Sequence, residues 1–168
     1  DVPAILGAAA SPGLAEQDVV TWTGPTTALT VARSDIASGY ACPRVHPAGT
    51  SPGWSEVDAE YTVERYLGRF TGAPVSPADL EGDHPVVCDN RLPWDPQGTG
   101  APTIPPLANN PGRLTGSVSY NPNSVYVAFV DGDYTTVYAD VTNVSGFEQN
   151  QVFTLALRQS GYCIGDVA

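Results

Sequence analysis

The chain has 168 residues, of which 18 are Asp or Glu and seven are Arg, and it contains no Lys, so its formal net charge is −11. An anionic surface without a basic patch repels phosphate backbones, and this composition excludes nucleic-acid binding as a function. No run of about 18 apolar residues is present, so the sequence predicts no membrane span. The length fits a single domain over residues 1–168.

The composition also favours a location outside the cytoplasm. The chain starts at Asp1 and contains no Met, which is typical of a processed form or of a domain cut from a longer protein. Its 17 Gly and 16 Pro are common in turn-rich secreted domains, and the use of Arg without Lys points to a GC-rich bacterial genome. We therefore expect an extracytoplasmic protein, either secreted or associated with the cell envelope.

The first 50 residues give mixed signals. Ser11 before Pro12 has the pattern of an N-cap followed by a first-turn proline, which predicts a short helix over about residues 12–20. The stretch 24–40 fits either a helical face or a strand, and Pro25 at its start slightly favours the helix.

A second helix is predicted over residues 55–71. Ser55 and Asp58 form a capping box, and Gly72 follows the end of the pattern. One face is apolar and consists of Ala59, Val63, Tyr66, Leu67 and Phe70. The other face carries Glu56, Glu60 and Glu64, which are either simply solvated or face a cation or basic partner.

Residues 83–112 form a proline-rich segment, with six prolines between residues 92 and 112. Prolines at this density continue neither a helix nor a central strand. The segment is either a linker between subdomains or a long ordered loop. Trp94, Ile104 and Leu107 favour a loop wrapped on the body of the domain, because flexible linkers rarely contain large apolar side chains.

Residues 113–168 alternate as strands, and Asp131-Gly132 predicts a hairpin with a type I′ turn. Both faces of the strand around Val127 are apolar, so the sheet is expected to be covered on both faces or curled around a cavity. A helical part over about residues 1–82, followed by an antiparallel meander, defines an α+β class in which N-terminal helices pack on a curved C-terminal sheet.

The three cysteines leave one thiol over if a disulfide forms. Cys42 and Cys88 lie in polar, proline-rich loops on either side of the predicted helix, and we expect these two to be joined. On the chain-entropy model such a bridge contributes roughly 4 kcal/mol. Cys163 has three open interpretations, which are a nucleophile, half of a disulfide and an inert thiol. Because Tyr162 and Ile164 share one face of its strand, its thiol points to the other face.

The ending VFTLALRQSGYCIGDVA resembles the last hairpin of nuclear-transport-factor-2-like domains. Tyr162, Ile164 and Asp166 stand where that family usually shows Trp, Ile and Asp. The resemblance implies a cone-shaped sheet with a long helix across its concave face. It also implies a pocket there, which is an active site in some members and a binding or dimerisation surface in many others.

No catalytic, phosphate-binding or metal-ligating motif is present, and we expect no cofactor and no metal. His46 and His84 both lie beside prolines in predicted loops, so neither is a strong catalytic candidate. The sequence predicts a non-catalytic extracytoplasmic binding or scaffold domain of a bacterial envelope or secreted protein, with a protein partner or a small apolar ligand. The alternative is a secreted hydrolase or isomerase with an acidic site inside the cone, for which Asp140 and Tyr138 are the strand-borne candidates.

Overall fold

The computed structural model describes residues 2–16, 19–38, 43–50, 52–158 and 161–168. Within these ranges the fold is α+β with antiparallel sheets, which confirms the predicted class. The described chain divides into two compact units, residues 1–54 and 55–168. No helix of the described residues is both long and apolar enough to cross a membrane.

The first unit is mostly β-structure. Helix α1 (Val2–Ala9) is followed by strands β1 (Leu14–Ala15), β2 (Val19–Thr23) and β3 (Thr27–Ala32), by the short helix α2 (Arg33–Ser38) and by β4 (Arg44–Pro47). The strands form an antiparallel sheet in the order β1-β2-β3-β4. The helix predicted over residues 12–20 is therefore wrong, and the ambiguous stretch begins as a strand. The capping signal at Ser11 is outweighed by strand pairing, because Leu14 and Ala15 pair with β2, which in turn pairs with β3.

The second unit begins with the predicted helix, which spans Glu56–Phe70 as α3. Its capping box is present, since the backbone N–H of Ser55 donates to Asp58 at 2.7 Å. The four residues Ala59, Val63, Tyr66 and Leu67 are buried, and Phe70 packs beside them, which confirms the predicted apolar face.

The five strands of this unit are β5 (Ser117–Tyr120), β6 (Tyr126–Asp131), β7 (Tyr134–Asn143), β8 (Glu148–Arg158) and β9 (Gly161–Val167). They form a strongly curled half-barrel in which β7 and β8 are central, β9 lies beyond β8, and β5 and β6 both pair with the other edge of β7. Helix α3 packs on the inner, concave face. The inner face is lined by Val137, Ala139, Phe153, Leu155 and Ile164, each fully buried.

The predicted hairpin joins β6 to β7 through Gly132 and Asp133. Gly132 has a φ of +56°, and no non-glycine residue in the described part of the chain has a positive φ. A type I′ turn needs a positive φ at both central residues, so this turn instead has the φ pattern of type II′. The position of the hairpin is confirmed and its turn type is corrected.

The proline-rich segment wraps on the second unit, as the apolar side chains predicted. Trp94 and Leu107 are buried, although Ile104 is half exposed. Trp94 packs edge-on against Tyr134 of β7 on the outer face of the sheet, and the Tyr134 hydroxyl accepts a hydrogen bond from the backbone N–H of Asp95. A short helix, α4 (Pro106–Asn109), then buries Leu107 in the core on the inner face.

Candidate functional site

A polar pocket lies at one end of the half-barrel. After α4 the chain turns through residues 110–116 and enters β5, and this turn meets the inner faces of β7 and β8. The pocket has a volume of about 260 Å³ and is lined by Arg113, Leu114, Thr115, Gly116, Ser117, Val141, Asn143, Gln149 and Gln151. Pockets for drug-sized ligands occupy about 300–1,000 Å³, so this one suits a smaller molecule.

Strand alternation places polar side chains on the inner face at this end. Phe153 and Leu155 of β8 fill the core, and the same face continues outward with Gln151 and Gln149. Gln149 lies opposite Val141 of β7 in the strand register. The apolar lining of the half-barrel therefore gives way to two side-chain amides where the strands leave the core.

The groups in the pocket are both donors and acceptors. The Gln151 amide donates to the Gln149 carbonyl oxygen at 3.5 Å, so the two amides lie side by side. The Asn143 side-chain oxygen accepts from the backbone N–H groups of Ser145 and Phe147, which holds the β7–β8 turn in place. Amides and hydroxyls together can recognise a ligand that carries both kinds of hydrogen-bonding group.

The pocket is close to electrically neutral. Arg113 is the one charged residue among its lining, and its guanidinium donates to Asp166 of β9 at 3.2 Å. The ion pair is partly exposed and fixes the arginine across the end of the sheet. A neutral polar ligand fits this environment better than an ion, because the arginine charge is already balanced.

Asp140 and Tyr138, the predicted strand-borne pair, do not point into the half-barrel. Val137, Ala139 and Val141 occupy the inner face of β7, so the two alternate residues lie on the outer face. Tyr138 stacks on Tyr126 with ring centroids 5.6 Å apart. Asp140 accepts a hydrogen bond from the Asn150 amide at 2.8 Å. The alternative of an acidic site formed by this pair inside the cone is not the arrangement found.

The histidines have different surroundings from those expected. His46 lies on β4 rather than in a loop, and its Nε2 is 2.9 Å from the hydroxyl of Thr30. Thr30 is buried, so its hydroxyl is not open to a substrate. His84 does lie in a loop, and its backbone oxygen accepts hydrogen bonds from Arg65 and Arg69.

Cys88 and Cys163 form a disulfide, with Cα atoms 4.9 Å apart. The predicted Cys42–Cys88 pair is therefore corrected, because the Cys88 sulfur is already bonded, while Cys42 lies outside the described residues. Cys163 points to the outer face, as predicted, and packs in a cluster with Trp94. Both segments are also joined by backbone hydrogen bonds, since the Cys88 N–H donates to the Ile164 oxygen at 2.9 Å. Cys88 bonds to Cys163 because the loop that carries Cys88 runs beside β9.

The glutamate stripe of α3 is not simply solvated. Glu60 and Glu64 are half buried, and Glu60 Oε1 accepts a hydrogen bond from the backbone N–H of Val127 in β6 at 3.0 Å. Burial, and to a smaller extent the charge of Glu60, raises the pKa of Glu64. Burial likewise raises the pKa of Tyr120, with a smaller effect from Glu64. The stripe therefore faces β5 and β6.

No family model, no curated protein and no solved structure matches the chain. Among the described residues, no group of three or more His, Cys, Asp or Glu side chains is arranged to hold a metal ion. Within the described part of the chain, the polar pocket is a candidate site for a ligand. The sequence carried a signal for the pocket in the run from Glu148 to Gln151, where four polar residues replace the apolar alternation.

Proposed function

We propose that this chain is a non-catalytic, extracytoplasmic binding domain that holds a small, neutral, polar ligand at the open end of its half-barrel. The observation that carries the proposal is the pocket of about 260 Å³ lined by Ser117, Asn143, Gln149 and Gln151. Its chemistry replaces the small apolar ligand expected from the sequence, because the inner face is polar where it is open and apolar where α3 covers it.

The disulfide supports the extracytoplasmic location. Disulfides persist in secreted and envelope proteins and are rare in the reducing cytosol. Cys88 and Cys163 are joined across the outer face, where the bond ties the proline-rich segment to β9. A bacterial envelope or secreted protein is the setting that we propose, and the likeness of the last hairpin to nuclear-transport-factor-2-like domains belongs to the same proposal.

The ligand class follows from the hydrogen-bonding groups. Sugars, polyols and short amides present neutral donors and acceptors that pair with side-chain amides and hydroxyls. A charged ligand would need an unbalanced charge in the pocket, and Arg113 is paired with Asp166. We infer that the ligand is a mono- or disaccharide, a polyol or a small amide.

The test is a ligand-observed NMR screen of monosaccharides, disaccharides, polyols and short amides against the wild-type protein and the Gln151→Leu variant. We expect hits that bind the wild type and are lost in the variant. Asn150→Leu is the matched control, since Asn150 is the adjacent residue on the opposite face of β8. Hits that survive Gln151→Leu, or a screen without hits, would count against the proposal.

A second arm addresses the alternative of a secreted hydrolase or isomerase. Asp140→Asn should leave folding and ligand binding intact, because this carboxylate lies on the outer face beside Asn150. Turnover of a substrate by the wild type that disappears in folded Asp140→Asn would establish the enzyme and contradict a binding role.

A further inference from the structure

The outer edges of strands β9 and β6 differ in how they are covered. The free edge of β9 is covered by residues 86–88, which run parallel to it, exchange backbone hydrogen bonds with Ile164 and are held by the disulfide. Strand β6 pairs with β7 on one side, and no described strand pairs with it on the other. An uncovered edge presents backbone N–H and C=O groups that another strand can bind.

The exposed part of β6 carries large apolar side chains. Phe129 is 63% exposed, Tyr126 is 52% exposed and Val130 is 47% exposed. The sequence predicted a sheet that is covered on both faces or curled, and the sheet is strongly curled, with Phe129 exposed on its outer face. On the outer face, Trp94 of the wrapped loop packs against Tyr134 of β7, Ala156 of β8 and Cys163 of β9. Natural sheets protect such an edge with charged side chains, Pro or β-bulges; β6 contains no Lys or Pro, and its bulge lies before Phe129.

Glu60 already occupies one backbone group of this edge. Its side-chain oxygen accepts from the Val127 N–H at 3.0 Å, in the place that the carbonyl of a neighbouring strand would take. A β-bulge follows between Val127 and Phe129. The uncovered stretch is therefore the end of the strand, from Ala128 to Asp131.

Carboxylates lie at both ends of this stretch. Glu60 lies beside Val127 at one end, and Asp131 and Asp133 flank Gly132 in the hairpin turn at the other. None of these carboxylates forms an ion pair with a described arginine, since the arginines of this unit that form described ion pairs bind Asp79, Glu81, Asp89 or Asp166. The edge thus combines apolar side chains, backbone groups and unbalanced negative charge.

We propose that the edge of β6 is a docking site for an extended, basic segment of a partner protein, which adds to the sheet as a further strand. Backbone hydrogen bonds would supply affinity, and alternate side chains would contact Phe129 and Val130 while Lys or Arg side chains meet the carboxylates. A second copy of this chain is disfavoured as the occupant, because pairing β6 with β6 would bring two sets of these carboxylates together in a protein of net charge −11.

The experiment uses two synthetic peptides of equal length, one with alternating Val and Lys and one with alternating Val and Glu. We expect the basic peptide to bind, to shift the backbone amide resonances of Ala128 and Val130, and to weaken as salt is added. Phe129→Ser should reduce affinity about tenfold. Phe147→Ser is the matched control, because Phe147 is 61% exposed and lies on the β7–β8 turn, away from β6. This variant should bind the basic peptide as tightly as the wild type does.

Circular dichroism melts of both variants test whether a loss of peptide affinity comes from a loss of folding. Absence of binding by the basic peptide, equal binding of the two peptides, or equal loss in Phe129→Ser and Phe147→Ser would overturn the proposal. A homodimer in sedimentation that Phe129→Ser converts to monomer would overturn it as well, since the occupant would then be a second copy. None of these outcomes depends on the polar pocket, so this experiment tests the docking site on β6 independently of the proposed ligand site.

Discussion

The carboxylate of Asp79 is fully buried and accepts a hydrogen bond from Arg65 on α3, with Arg65 Nη2 2.6 Å from Asp79 Oδ1. Arg69, one turn further along the helix, donates to the same oxygen and also pairs with Glu81. Both arginines also donate to the backbone oxygen of His84. This network ties the segment after α3 to the helix.

Asp79→Ala is expected to destabilise the protein by about 3–5 kcal/mol, because it leaves two largely buried guanidinium groups without their shared carboxylate. Asp89→Ala is the control, since Asp89 pairs with Arg91 in an exposed ion pair and should change stability little. Urea denaturation of both variants measures the difference. Equal midpoints would mean that the buried network contributes no more than the exposed pair.

Acid should weaken the Asp79 network selectively. Burial alone would raise the pKa of Asp79, but the hydrogen bonds and charges of Arg65 and Arg69 outweigh it and hold the pKa below its ordinary value of 3.8. A lowered pKa in the folded state contributes stability that is present above the ordinary value and is lost as the pH falls through the folded value. The stability difference between wild type and Asp79→Asn should therefore shrink below about pH 4. A difference independent of pH would contradict this assignment.

The disulfide should be detectable by mapping and by stability. Peptide mapping without reductant is expected to recover a linked pair that contains Cys88 and Cys163. Cys163→Ser should lower the free energy of unfolding by about 4 kcal/mol on the chain-entropy model, since the bond closes a loop with a sequence separation of 75. Cys42→Ser is the control and should leave both results unchanged. A linked peptide that contains Cys42 would show a different pairing.

Gly165 lies where a side chain has little room. A Cβ atom built on Gly165 would overlap the six-membered ring of Trp94, which is itself buried. Gly165→Ala is therefore expected to cost about 1–3 kcal/mol through overpacking. Gly82→Ala is the control, because its Cβ would meet no atom within 4 Å and its φ is not positive.

The overlap can be tested further with a double-mutant cycle. Trp94→Ala alone should be costly, because it removes a large buried ring. On that background, Gly165→Ala should cost less than it does in the wild type, since the atoms that it would strike are gone. Additive costs, measured by thermal or urea denaturation, would show that the strain of Gly165→Ala lies elsewhere.

Local sequence patterns were enough to predict the α+β class, helix α3 with its apolar face, the position of the β6–β7 hairpin, and that Cys163 lies on the opposite face of β9 from Ile164. These features depend on local periodicity and capping. The residues that form each pattern are close together in the sequence, within one helix or one strand. The packing of the proline-rich segment was also predicted from the sequence, because Trp94 and Leu107 are large apolar side chains, and both are buried.

Contacts between distant segments settle which cysteine pairs with Cys88, that the outer edge of β6 has no strand partner among the described residues, and where the polar pocket opens. The loop at residue 88 runs beside β9, whose Cys163 is 75 residues away, and no local pattern records that proximity. The helix expected near residues 12–20 became paired strands for the same reason, since strand partners outweigh a capping signal. Tyr138 and Asp140 were found by their place in a strand, but only α3 packing on Val137 and Ala139 decided which face of that strand is inside.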